Sequence, residues 1–220
     1  SLRDALPICG VAHADGKAIF IDGALPGEYV TYSAYRRKES YEFAQIQELK
    51  RASFIRETPR CAHFGVCGGC SLQHANWLAQ VAAKQRVLED NLQRIGKVET
   101  ELLLAPIYGQ AWGYRQRARL SSRHVIKKDA VLVGFREKRG HFVADMQSCE
   151  TLDPRAARLI MPLRELVNRL SIRQTLPQIE VAVGESVLAL TLRILERPSA
   201  ADEALLRRFA EHENVQFWFQ

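Results

Sequence analysis

Three of the five cysteines in this 220-residue chain fall within one ten-residue stretch, CAHFGVCGGC, at 61–70. Nothing else in the sequence restricts the fold as strongly, because thiols crowded into one loop must be held by a disulfide, by a metal or by burial. Cys61, Cys67 and Cys70 are spaced C-x5-C-x2-C, and Cys149 is the only downstream candidate for a fourth position. Three local thiolates plus one remote one is an arrangement that holds iron-sulfur clusters, since a loop wraps three corners and the fourth comes from elsewhere. Gly68 and Gly69 keep side chains out of the bend between the last two thiols, where N–H groups can then point at sulfur. Four thiolates, or three with His63 or His74, also suit structural zinc, although zinc sites are usually built from two short C-x2-4-C pairs and only one pair here is that short. Spacing alone leaves a cluster, zinc and inert thiols open. An odd cysteine count in a chain long enough to build a core argues against a disulfide framework. Cys9, remote from the group, reads as a small buried hydrophobe.

Composition bounds the rest. At 47% hydrophobic residues the chain can bury a core. It has no run approaching the roughly 20 apolar residues of a bilayer span, and SLRDALPICG lacks the basic start and apolar run of a signal peptide. The expectation is a soluble, cytoplasmic protein with no membrane contact and no obligate protein partner. A first residue that is serine, and an aromatic alternation, VQFWFQ, at the other end, suggest a piece of a longer protein. The net charge of +6 is unevenly spread: residues 101–149 hold nine Lys/Arg against four Asp/Glu, while the remaining segments are nearly balanced. A local block of positive charge is what a polyanion requires; a solvated charged face is the plainer explanation.

The pattern of apolar and turn residues predicts α+β, with a small OB-like β-barrel at 1–53 followed by an α+β domain at 54–220 whose sheet is mainly antiparallel. GVAH, KAIFID, YVTYSAY and YEFAQIQEL read as short strands punctuated by Asp15-Gly16 and by Pro26-Gly27. Trp77, Leu78, Val81, Leu88, Leu92 and Ile95 recur at helical spacing, with Gly96 as the stop, and their apolar stripe is expected to pack on a domain, either within these residues or outside them. Asp153-Pro154 opens a helix towards Leu170 with an irregularity at Pro162. IEVAV and VLALTLRIL form a hairpin, Ser199 caps a further helix, and VQFWF returns as a strand.

In WGYRQRARLSSR a strand would place Arg115, Arg117 and Arg119 on one face, where same-side positions recur every 6.6 to 7 Å or so, a step comparable to that of an extended phosphate backbone. Arg123, Lys127, Lys128, Arg136, Lys138 and Arg139 add charge nearby, and Trp112, Tyr114 and Phe135 offer rings for stacking. Pairing of some arginines with acids in the sheet, and burial of the rings, is the competing explanation. Arg36, Arg37 and Lys38 form a smaller basic run interrupted by Glu39 and Glu42.

CAHFGVCGGCSLQHA, with TPR just before it, resembles the cysteine motif of the bacterial 23S rRNA (uracil-5-)-methyltransferases, in the branch that carries an iron-sulfur cluster. GVAHADGKAIFIDGALPGE resembles the start of that family's TRAM domain, a small RNA-binding barrel, and WGYRQRARLS, LVGFREKRGHFVAD and QSCETLDP resemble its central domain in order. Within that family, the resemblance to a TRAM domain favours the type called RlmD or RumA over its shorter relative. The resemblance implies a 4Fe-4S cluster on Cys61, Cys67, Cys70 and Cys149, and 23S ribosomal RNA as the partner. It also implies S-adenosylmethionine, bound by a Rossmann-like domain with a nucleophilic cysteine and a glutamate base: the thiolate adds to uracil C6, C5 takes the methyl group, and the base removes the C5 proton before elimination. No glycine-rich turn between strand and helix is found in this sequence, so no catalytic residue is assigned here and the fragment alone is expected to recognise RNA without methylating it. The alternative is a free-standing iron-sulfur or zinc RNA-binding module without catalysis.

Overall fold

Asp15 and Gly16, both with positive φ (51° and 76°), close a two-residue hairpin between Ala14 and Lys17, and the first sheet grows from it. The computed structural model of the chain describes residues 4–6 and 9–220. Strands β1 (Asp4–Leu6), β2 (Cys9–Ala14), β3 (Lys17–Asp22), β4 (Tyr29–Arg37) and β5 (Tyr41–Arg51) form a sheet in the order β1-β2-β3-β5-β4. Pairing is antiparallel except between β3 and β5. Alternation along β3 sends Ile19 and Ile21 inward against Ala24 and Ala44. The expected barrel is corrected to an open sheet: β3 and β5 are neighbours, so β4 and β1 lie at opposite edges, and among the described residues no pairing joins them.

Glu28, wholly buried, ties the loop after β3 to the segment after β5. Its carboxylate accepts from the N–H of Leu25 (2.9 Å), the N–H of Ser53 (3.2 Å) and Nη2 of Arg56 (2.7 Å), and Arg56 also donates to Gly23 O (2.6 Å). Helix α1 (Trp77–Asp90) starts at Asn76, whose side chain accepts from Ala79 N–H at 2.8 Å. It continues as a π-helical turn, Asn91–Gly96, and the left-handed residue that ends it is Lys97 (φ 51°), not the expected Gly96. No residue of α1 is buried: Leu78, Leu88 and Ile95 are each more than half exposed, while Val81 and Leu92 are half-buried and Trp77 packs against Tyr108, so the described residues cover the apolar stripe only in part.

The remaining elements are β6 (Arg117–Val125), β7 (Ala130–Gly134), α2 (Pro154–Ala157), α3 (Ile160–Arg169), β8 (Gln178–Val183), β9 (Leu188–Arg193), α4 (Ala200–Glu213) and β10 (Gln216–Phe219). They make a second sheet, β10-β9-β8-β6-β7, antiparallel except for β10 beside β9, which agrees with the mainly antiparallel expectation. Leu163, Leu166 and Val167 of α3 pack with Leu120, Val133, Ile179 and Leu190 of the sheet. The helix break falls at Arg158–Leu159 and not at Pro162 itself. The proline lacks an N–H and its ring crowds the carbonyl four residues earlier, at Arg158, so the first turn of α3 tolerates Pro162 while continuity with α2 does not survive it. Two compact units result, and they interleave along the chain where one cut near residue 53 was expected: residues 1–60 with 71–108, and residues 61–70 with 109–220. Among the described residues no helix is long and apolar enough to cross a membrane.

A capping box joins Ser199 to Asp202 at the start of α4. Asp202, almost fully buried, also accepts from the Ser171 N–H at 2.8 Å and from the Ser199 N–H at 2.9 Å. Burial pushes its carboxyl up, but the hydrogen bonds from Ser171 and Ser199 outweigh that and hold it at about 2, below its ordinary 3.8. A depressed folded-state value means that this contribution is complete above pH 3.8 and is lost as pH falls through about 2. Asp202→Ala is expected to cost roughly 2 kcal/mol at pH 7 and much less near pH 2; hydrogen exchange of the β8 and β9 amides at the two pH values measures the difference, and an equal cost at both would contradict it.

Candidate functional site

The cysteine loop belongs to the second unit and is built from short backbone bonds. Phe64 N–H donates to Cys61 O at 3.1 Å and Cys67 N–H to His63 O at 2.9 Å, folding 61–67 into consecutive turns. Gly68 N–H then donates to Arg136 O and Lys138 N–H to Val66 O, each at 2.8 Å, which laces the loop to the basic turn after β7. A Cβ at Gly68 would stand 3.0 Å from Arg136 O, and one at Gly69 would stand 3.2 Å from the Phe135 ring, so this close approach requires the glycine pair.

Cys149 comes to the same place from the far side of the basic turn. It shares a buried cluster with Cys67, Met146, Leu152 and Ile160. The Thr151 hydroxyl lies 3.4 Å from Cys149 Sγ and 4.0 Å from Cys70 Sγ, bringing those two sulfurs around one oxygen. Gly69 N–H donates to Cys67 Sγ at 3.3 Å. Burial pushes the Cys67 thiol up, the Gly69 hydrogen bond opposes this, and the nearby Cys149, Cys70 and Cys61 push it further up. Thr151 was not singled out from sequence; its position two residues after Cys149 was the available signal. Nε2 of His63 accepts from Gln147 N–H at 3.1 Å, so that nitrogen is engaged in holding backbone. His74 and Cys9 belong to the first unit.

None of these cysteines is in a disulfide. Among the described residues, no group of three or more His, Cys, Asp or Glu side chains is gathered tightly enough to hold a metal ion, so the ligand set expected from the spacing is not formed as such. A single zinc at about 2.3 Å from every sulfur draws its thiolates almost into contact, whereas a four-iron cluster gives each cysteine its own iron and accepts a wider set. The Cys70 and Cys149 sulfurs beside Thr151, and the Cys67 sulfur beside Gly69, suit the wider donor set better than the tight one.

The arginines divide differently from the expected stripe. Arg115 is not in β6: its N–H donates to Thr151 O (2.8 Å), its carbonyl accepts from Asp153 N–H (3.0 Å), and its guanidinium lies 5.5 Å from the centre of the half-buried Phe135 ring. The strand face begins at Arg117 and continues through Arg119 and Arg123, all three exposed. Arg119 Nε is 3.0 Å from Glu180 Oε1, an exposed pair of little energetic weight. Arg136 and Arg139 are exposed and Lys138 is half-buried, all on the turn that holds the cysteine loop. Phe135 connects the two groups, with Arg115 over its ring and Gly69 against its edge.

No protein-family model matches the chain. A 23S rRNA (uracil(1939)-C(5))-methyltransferase RlmD from Nitrosospira multiformis is 62% identical over 211 residues, covering 96% of this chain and 48% of that protein. This chain resembles the RlmD methyltransferases. The RlmD of Burkholderia pseudomallei is 60% identical over 205 residues, covering 93% of the chain and 44% of the relative. The chain thus spans about half the length of the RlmD relatives it matches. Among solved structures, the Pyrococcus abyssi tRNA (uracil-54, C5)-methyltransferase, in complex with S-adenosyl-L-homocysteine, shares the fold with a TM-score of 0.64 at 21% identity, over 93% of this chain and 48% of that one.

Proposed function

We propose that the chain is the RNA-recognising portion of an S-adenosylmethionine-dependent 23S rRNA uracil-C5 methyltransferase. The 62% identity to an RlmD over 96% of the chain carries this reading. Residues 1–53 are the TRAM-like RNA-binding part, and the second sheet with its cysteine loop is the central recognition part. S-adenosylmethionine and the methyl transfer belong to the half of the relatives that this chain does not span. Cys61, Cys67, Cys70 and Cys149 hold a 4Fe-4S cluster, a reading supported by Cys70 and Cys149 beside the Thr151 hydroxyl, by Cys67 beside Gly69 and by the influence of the other three thiols on Cys67. When bound, that cluster supplies a cross-link between loop 61–70 and the 149–151 segment, and thereby fixes the turn that carries Arg136, Lys138 and Arg139.

RNA is gripped by exposed Arg117, Arg119 and Arg123 of β6, with the basic turn beside the cysteines as a second contact. Arg115 acts through Phe135, as a support for that turn. Replacing Arg117, Arg119 and Arg123 together with glutamine is expected to lower the affinity for single-stranded RNA by one to two orders of magnitude and to reduce the salt slope by about 2, at roughly 0.7 per phosphate. Fluorescence anisotropy titrations at several salt concentrations measure both. An unchanged slope would move the binding face elsewhere.

A further inference from the structure

The solvent side of the first sheet carries aromatic residues that its core does not use. Ile19, Ile21 and Ala44 face the interior, and the alternation of β3 and β5 therefore sends Phe20, Tyr41 and Phe43 to the opposite side. Register sets Phe20 beside Phe43, and an irregularity in β4 between Ala34 and Arg36 brings Tyr35 onto the same patch. The rings form one continuous surface. Tyr35 lies nearly parallel to Phe43 (6.4 Å between centroids, 20°), Phe20 is tilted against Phe43 (5.4 Å, 33°), and Tyr41 meets Phe43 edge-on (5.5 Å, 79°). Tyr35 is 51% exposed and the other three are half-buried. Its hydroxyl donates to Asp22 Oδ2 at 3.2 Å, which orients the ring from one edge.

The border of this patch is cationic toward solvent. Arg36 lies 5.9 Å from the Phe43 ring centre, and Arg37 and Lys38 follow it at the end of the strand pair. Three acids border the same patch: Glu42, 3.7 Å from Arg37 and 3.9 Å from Lys17, Asp22 at the Tyr35 hydroxyl, and Glu39 next to Lys38 in sequence. The Glu42 side chain is only 16% exposed while that of Arg37 is 74% exposed, so in this pair water sees the cation more than the carboxylate. Flat rings offered in series beside exposed positive charge match an unpaired nucleic-acid strand, whose bases stack in any sequence while its phosphates need cations.

We propose that the Phe20, Tyr35, Tyr41 and Phe43 face is a stacking platform for unpaired bases of the RNA substrate, distinct from the arginine face of the second unit. This rests on the RNA reading given above. It is tested with the 220-residue chain and a fluorescein-labelled single-stranded oligouridine of about twelve nucleotides, beside a fully paired RNA hairpin. Tyr35→Ala is expected to weaken single-strand binding about tenfold with the salt slope unchanged, Tyr35→Phe to retain affinity, and the paired hairpin to be indifferent to both. In the unaltered protein, photocrosslinking with 4-thiouridine RNA should label the peptides containing Tyr35 or Phe43, a result that does not depend on how any variant folds. If Tyr35→Ala binds like the wild type and crosslinks fall only on the β6 arginine face, the platform is overturned while the RNA reading stands, and the aromatic face is left to a protein partner. If the unaltered chain binds no RNA, the functional reading itself fails and takes the platform with it.

Discussion

Replacing Glu28 with alanine should unfold the first unit, with a loss of about 3–5 kcal/mol, the usual consequence of removing one partner of a buried ion pair. The carboxylate is fully buried and satisfies the N–H groups of Leu25 and Ser53 as well as the Arg56 guanidinium, so its loss strands donors in the loop after β3 and in the segment after β5 together. A few kcal/mol is a large share of the stability of a domain of this size. Hydrogen exchange of the β3 and β5 amides reports on it directly, because urea curves for a chain of two units mix two transitions. Burial raises the Glu28 pKa, but the hydrogen bonds from Arg56, Leu25 and Ser53 and the charge of Arg56 more than compensate and hold it below its ordinary 4.5. The stabilisation is therefore complete above about pH 4.5 and is lost as the pH falls below it through the depressed folded-state value, so the β3 and β5 amides of the wild type should lose protection over that range. Native-like exchange in Glu28→Ala would show that the loop holds without its carboxylate.

Exchanging Cys149 for serine should abolish cluster loading. Protein purified without oxygen is expected to be brown and to contain iron and acid-labile sulfide in near-equal amounts, whereas Cys149→Ser should lose its visible absorbance and most of its iron. Cys9→Ser, on β2 in the other unit, should leave both unchanged. Stoichiometric zinc in the anaerobic protein would reverse the assignment of the metal, and full iron in Cys149→Ser would remove the fourth ligand. The expectation follows from position: Cys149 shares a buried cluster with Cys67 and the Thr151 hydroxyl with Cys70.

The two faces assigned to RNA differ in how readable they were. Arg117, Arg119 and Arg123 alternate along a strand whose apolar partners, Leu120 among them, face inward, and this period of two is legible without coordinates. Arg115 has the same parity in sequence but a different fate, because the backbone from Gly113 to Arg115 hydrogen bonds to Glu150 and Thr151 and so leaves the sheet. The aromatic platform was hidden for a related reason. Tyr35 and Phe43 are close only because of a strand pairing with an irregularity in it, and Phe20 joins them only because β3 and β5 are parallel neighbours.

Sequence by itself determined the local structure: the Asp15-Gly16 turn, the Asp153-Pro154 and Ser199 helix starts, the strand alternations and the concentration of charge at 101–149. These depend on backbone preferences and side-chain spacing within a few residues, which adjacent letters encode directly. Only the tertiary structure decided that the first sheet stays open, that the chain crosses between its two units three times, and that the apolar side of α1 is covered only in part by the described residues. It likewise decided that Cys149 joins the loop at 61–70 through Thr151. Each of these is a contact between residues far apart in the chain, selected by which surfaces can be buried together, and no local period carries that information.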